Sequence, residues 1–233
     1  MQEKDKPVYK SQKAGKILPH TYCYKLLAQG GKTIAVDDLI WGSLLADAHC
    51  NKRGCITLEG SVIQTPYTFW KWEQCKAGGI LTATSTPRLV HRFDKRTMKW
   101  RGSLRFKTRT LRRAERKLLY KDDGTGRERK FFPPWDSCRS RWTAGALAVL
   151  FMDHGGAGGN NKRGCVFDVS YWGASGRLEM QRTLWECFQL KTSFQGTGNQ
   201  CKLYILTCSA ERFRDLITPY IVPAMWYKCA HLF

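Results

Sequence analysis

An internal repeat constrains this chain more than any other feature. The pentapeptide Asn51-Lys52-Arg53-Gly54-Cys55 recurs intact as Asn161-Lys162-Arg163-Gly164-Cys165. Shortly before each copy lies an apolar run that ends in a carboxylate, Leu39–Ala48 with Asp47 and Gly145–Gly155 with Asp153. Repetition on this scale implies two pseudo-symmetric halves, each bringing one acid to a shared place. Gly42 and Ala46 are four residues apart, as are Ala144 and Ala148. At that spacing they share a helix face, and small side chains there allow two helices to approach closely. The two runs are therefore expected to pair as central helices with Asp47 and Asp153 side by side.

A carboxylate at a helix C-terminus opposes the macrodipole and calls for a compensating reason. Two carboxylates held together also repel unless a cation bridges them. Oxygen donors and a phosphate partner point to Mg²⁺. Paired metal–carboxylate sites hydrolyse phosphodiesters by activating water and stabilising the leaving oxygen.

The charge balance names the same partner. The formal net charge is +20, which favours a polyanion because Lys and Arg displace condensed counterions from phosphates. Residues 31–143 hold 24 basic against 11 acidic residues, whereas residues 144–233 hold nine against six. The electrostatic grip is thus concentrated in the first half. The ten cysteines contain no C-x-x-C pair, which argues against a zinc or disulfide scaffold. Cys55, Cys165 and Cys208 sit in strand-like apolar surroundings and are expected to be reduced, buried thiols, which implies a reducing intracellular compartment. The Lys-rich N-terminus lacks a secretory h-region, and the longest apolar run is too short to span a bilayer, so a soluble protein is expected.

Periodicity places a basic extension at 1–30 with one short helix near Tyr22–Leu27, then a first helix capped by Asp37 or Asp38. A strand follows at Gly54–Val62, a helix at Tyr67–Lys76, a hairpin of Pro87–Phe93 with Met98–Lys107, and a helix at Leu111–Tyr120. After a polar link, the second half repeats this order: strand Gly164–Tyr171, helix Glu179–Leu190, strands Lys191–Gln195 and Cys201–Cys208, and a helix from Ala210. Such an order argues for an α+β fold. Along Lys99–Lys107, Lys99, Arg101, Ser103, Arg105 and Lys107 alternate with Trp100, Gly102, Leu104 and Phe106. One face of this strand packs and the other is cationic, as a duplex-facing surface requires.

The paired motifs, the Lys130-Phe131-Phe132-Pro133 approach to the second one, and the tail Leu216–Lys228 together resemble the LAGLIDADG homing endonucleases. The likeness is to their single-chain, two-repeat form, of which the yeast mitochondrial omega-intron enzyme is an example, and covers residues 37–230. The resemblance implies two αββαββα repeats with saddle-shaped antiparallel DNA-binding sheets and the motif helices packed at the centre. It implies a basic extension at 1–30, a first repeat at 31–120, a linker at 121–141 and a second repeat at 142–233. Asp47 and Asp153 match the metal-binding acids, and Lys130 and Lys228 match the basic residues that approach the scissile phosphates. Arg88, Arg92, Lys99, Arg101, Arg105 and Lys107 would serve the first half-site, and Lys191, Gln195 and Lys202 the second. Lys52, Arg53, Lys162 and Arg163 would meet phosphates near the cut. Ala48 stands where the motif closes on glycine, Trp41 is large for its position, and His154 stands where relatives often carry a second acid.

The implied activity is monomeric, Mg²⁺-dependent cutting of both strands of a long asymmetric DNA site, leaving short 3′ overhangs. Mn²⁺ would substitute, and Ca²⁺ would support binding without cleavage. An intron-RNA maturase on the same fold is the alternative, with the chain's own intron RNA as a further partner. Family analogy places such a protein in an organelle or the bacterial cytoplasm.

Overall fold

The computed structural model describes residues 33–110, 112–158 and 164–229. The basic extension with its short helix, and the pair Lys162 and Arg163, lie outside the described residues. The chain begins with α1 (Val36–Leu45), β1 (His49–Cys50), β2 (Cys55–Ser61), α2 (Thr65–Ala77), β3 (Arg88–Asp94), β4 (Lys99–Thr110) and α3 (Arg113–Leu119). A small hairpin, β5 (Tyr120–Asp122) and β6 (Glu128–Lys130), and a single turn, α4 (Trp135–Cys138), lead to the second half. That half comprises α5 (Ala144–His154), β7 (Gly155–Gly158), β8 (Gly164–Asp168), α6 (Ala174–Phe188), β9 (Thr192–Gln195), β10 (Lys202–Ile205) and α7 (Thr207–Ile217). The order αββαββα thus occurs twice. The sheets are antiparallel, with matching orders β1-β2-β4-β3 and β7-β8-β10-β9.

The two acidic runs form the central helices because they are apolar all round, a pattern that suits only a buried helix. Leu39 through Leu45 are buried in α1, as are Gly145 through Met152 in α5. Close approach depends on Gly42, where an added Cβ would lie 2.5 Å from the Ala146 carbonyl oxygen and 2.7 Å from Val149 Cβ. Thr143 caps α5 by accepting from the Ala146 N–H at 3.0 Å. In α1 the expected Asp cap is not used. Ala35 is the N-cap, with no side-chain cap bond, and Asp37 and Asp38 both fall in the first turn. There their charge favours the positive helix end, and Asp37 pairs with Arg112.

Two readings from periodicity need correction. The short strands β1 and β7, which the αββαββα order includes, carry no alternation in the two residues His49-Cys50 or in the glycine-rich Gly155–Gly158, so periodicity does not show them. Within the polar link, Asp122 accepts from the Gly124 and Gly126 amides at 2.7 and 3.1 Å, closing the β5–β6 turn. Cys208 is exposed on α7, not in a strand, whereas Cys165 is buried and Cys55 half-buried as free thiols. Among the described residues no helix is long and apolar enough to cross a membrane.

The helix contact yields a test. Replacing Gly42 by Val overpacks the α1–α5 seam against backbone, and should cost about 2–3 kcal/mol in chemical denaturation. An unchanged midpoint would show that the helices can separate without penalty.

Candidate active site

The acids arrive from the two central helices but occupy different settings. Asp153 is the penultimate residue of α5, while Asp47 lies in the turn just beyond α1. The Asp153 side chain is 8% exposed and the Asp47 side chain 69%. Both line one cavity of about 800 Å³ bordered by β2, α2 and β4, and a smaller one at the edge of β8.

Each acid is paired with a cation donor from the other repeat. Lys71 on α2 donates its ammonium to both Asp153 oxygens, at 2.7 and 2.6 Å. It is 9% exposed and lies 4.6 Å from the centre of the Tyr67 ring. Across the site, His154 Nε2 meets Asp47 Oδ1 at 2.9 Å, and its Nδ1 lies 3.3 Å from the Asp168 carbonyl. Burial works against charge on both Asp47 and His154. The bond between them and their mutual attraction outweigh it, so the carboxyl is held below its ordinary range and the imidazole above.

Lys130 and Lys228 occupy matching places at the ends of the central helices. Lys130 donates to the carbonyls of Leu44 at 2.7 Å and Ala48 at 3.1 Å, and also to that of Ala46. Lys228 donates to the carbonyls of Met152 and Asp153 at 2.6 and 3.1 Å. These ammoniums satisfy orphan carbonyls and neutralise the negative ends of both dipoles, which makes room for an acid at each. Burial lowers the Lys130 ammonium to about 8, against the attraction of Asp47 and Asp153, and Lys228 is lowered for the same reason.

The first sheet arranges its outer face as the alternation requires. Register pairs Arg88 with Arg105, Arg92 with Arg101, and Thr57 with Lys107. Leu104 and Phe106 are buried on the opposite face, while Trp100 is 39% exposed and packs on Phe93 with ring centres 5.6 Å apart. The cationic face nonetheless holds two acids, from the neighbouring strands β2 and β3. Glu59 receives Arg105 at 2.7 and 2.8 Å and Arg92 at 3.2 Å. Asp94 pairs with Arg101 at 2.9 Å, and Lys99 stands opposite Asp94. These pairs hold the guanidiniums in place on the face.

On the second sheet Lys202 pairs in register with Gln195 and with Asp168, and Lys191 precedes β9 at the same parity as Gln195. Lys52 and Arg53 are exposed in the turn after β1, with Lys52 3.5 Å from Glu128.

Sequence reasoning missed Lys71, Glu59, Asp168 and the tie between His154 and Asp47. A signal for Lys71 was present: Tyr67, Lys71 and Cys75 recur every fourth residue, and all three are buried in α2. A lysine on an otherwise buried helix face requires a buried acid.

Among the described residues no cluster of three or more His, Cys, Asp and Glu could enclose a metal. The two acids nevertheless fit a hard divalent cation. Both line one open cavity, Asp47 with its carboxylate exposed and Asp153 with its oxygens held by Lys71, and a polyanion beside them could supply the remaining ligands.

The Asp47–His154 pair predicts a pH signature for the metal-free protein. The raised imidazole contributes stability that is full below its unfolded value of 6.5 and lost as pH rises through its folded value. The depressed carboxyl contributes stability present above 3.8 and lost as pH falls through its lower folded value. The advantage of wild type over His154→Gln should therefore be greatest between those limits. It should stay below about 1 kcal/mol because Asp47 is exposed. Denaturation in EDTA would reveal it, and an advantage that grew toward about pH 9 would contradict it.

The sequence matches the LAGLIDADG DNA endonuclease family over residues 38–213. No curated protein matches. Among solved structures, the fold is similar to the homing endonuclease I-WcaI bound to its DNA recognition sequence, with a TM-score of 0.67 and 22% identity over 91% of this chain and 94% of that one. Weaker likenesses are to full-length DUF199/WhiA from Thermatoga maritima and to the N-terminal LAGLIDADG domain of DUF199/WhiA. The first has a TM-score of 0.49 at 10% identity, covering 83% of this chain and 59% of that one. The second has a TM-score of 0.46 at 12% identity, covering 89% and 93%. Two αββαββα repeats in one chain, an acid from each central helix and a match across most of the sequence lead to one conclusion: the chain belongs to the LAGLIDADG DNA endonuclease family.

Proposed function

We propose that this chain is a site-specific homing endonuclease that cuts both strands of a long, asymmetric DNA duplex and leaves short 3′ overhangs. The observation that carries the reading is the convergence of Asp47 and Asp153 on one cavity bordered by a cationic sheet face. Asp47 and Asp153 would hold the divalent cation, Mg²⁺ or in its place Mn²⁺, while Ca²⁺ would support binding alone. Bound there, such an ion supplies a Lewis acid and an activated water.

The protein's own groups do the rest. Lys130 and Lys228 provide fixed positive charge beneath the acids, where charge builds on the phosphate. Arg88, Arg92, Lys99, Arg101, Arg105 and Lys107 lie along one half-site, and Lys191, Gln195 and Lys202 along the other. Arginine can read guanine edges with two bonds, whereas most lysine contacts position the backbone. Lys52 and Arg53, with Lys162 and Arg163, would grip phosphates beside the cut. Because the two halves differ in sequence, the protein acts as a monomer on a non-palindromic site.

Cleavage of a randomised duplex library with Mg²⁺, and with Ca²⁺ or EDTA as controls, tests this directly. Asp47→Asn and Asp153→Asn should each lower double-strand cleavage by about a hundredfold or more. Each should leave duplex binding in Ca²⁺ within about threefold, since phosphate contacts elsewhere dominate affinity. Double-strand cutting that persists in both variants would sink the acid-pair mechanism.

A further inference from the structure

The two acids are held differently, and the difference has a chemical meaning. Lys71 engages both oxygens of Asp153 at 2.6 and 2.7 Å, and the two side chains are 9% and 8% exposed. His154 engages one oxygen of Asp47, which is 69% exposed. Asp47 can thus take a cation on its open side with its partner in place. On Asp153 the shared position is taken: the ammonium sits between its oxygens, where a cation held by both would sit.

We propose that Lys71 is a resident counter-cation, holding Asp153 until a divalent cation replaces it and making the two acid sites unequal in metal affinity. The proposal rests on reading both acids as metal ligands. A buried carboxylate without a counter-charge is strongly destabilising, so Asp153 must keep one cation or another. An ammonium and a divalent ion a few ångströms apart repel, so the second displaces the first. Lys71 also has somewhere to go. With Tyr67 and Thr68 it lines the cavity of about 800 Å³ that both acids share, where a DNA phosphate would receive the freed ammonium. Lys71 acts through Asp153 and is therefore a positioning residue.

Two measurements on the DNA-free protein test this. The first is Mn²⁺ binding followed by electron paramagnetic resonance. Lys71→Met should bind Mn²⁺ about tenfold more tightly at its second site than wild type does. Lys71→Arg, which keeps the cation, should not gain this affinity. The second is thermal melting. Lys71→Met should melt lower in EDTA and recover with Mn²⁺, whereas Lys71→Met combined with Asp153→Asn should recover without metal and ignore it. Should Lys71→Met not survive in EDTA, refolding with Mn²⁺ but not without it supports the proposal, and refolding in neither overturns it. Unchanged Mn²⁺ affinity in a folded Lys71→Met, or melting that Mn²⁺ does not restore, overturns it too. Neither readout uses cleavage, so a protein that cuts no DNA would count against the endonuclease reading alone.

Discussion

The contact between α1 and α5 sets the position of everything else in the protein. Where Gly42 lies against the Ala146 carbonyl, no side chain intervenes, and the two helices approach backbone to backbone. Their closeness brings Asp47 and Asp153 to one cavity. It also creates an electrostatic difficulty, since two negative helix ends and two carboxylates meet in a small space. Lys130 and Lys228 relieve the first by binding terminal carbonyls, and Lys71 and His154 relieve the second by pairing with the acids. Four basic groups thus surround two acids.

Much of this was legible in the sequence. The repeated pentapeptide and the two apolar runs give the pseudo-symmetry and the central helices, and strict alternation gives the orientation of β4. What could not be read was pairing across distance. Asp153 and Lys71 are 82 positions apart and Asp47 and His154 are 107 apart; no local pattern links them. Glu59 was missed for a similar reason, because alternation along β4 says nothing about what the neighbouring strand contributes. The short strands β1 and β7 carry too few residues for a period to appear, and register with β2 and β8 alone defines them.

On the proposed reading, the two sheets would divide the work of binding unequally. The first presents Arg88, Arg92, Arg101, Arg105 and Lys107, with Glu59 and Asp94 holding three of the guanidiniums in place. Arginines fixed in this way lose less conformational freedom on meeting DNA. The second presents Lys202 between Asp168 and Gln195, with Ser193 in register with Tyr204 on the same face, a surface better suited to hydrogen bonding than to bulk attraction.

The crossed pairing of acids and bases also bears on ancestry. A duplicated fold of this kind invites the idea of two interchangeable halves, each able to pair with a copy of itself. Here that exchange is closed. Two first repeats joined together would set Lys71 toward each Asp47 in the place that His154 takes here. Two second repeats would leave each Asp153 carboxylate without the lysine that α2 provides, since α6 contains no lysine. Each half carries the partner of the other's acid, so the repetition is also a division of labour between the halves.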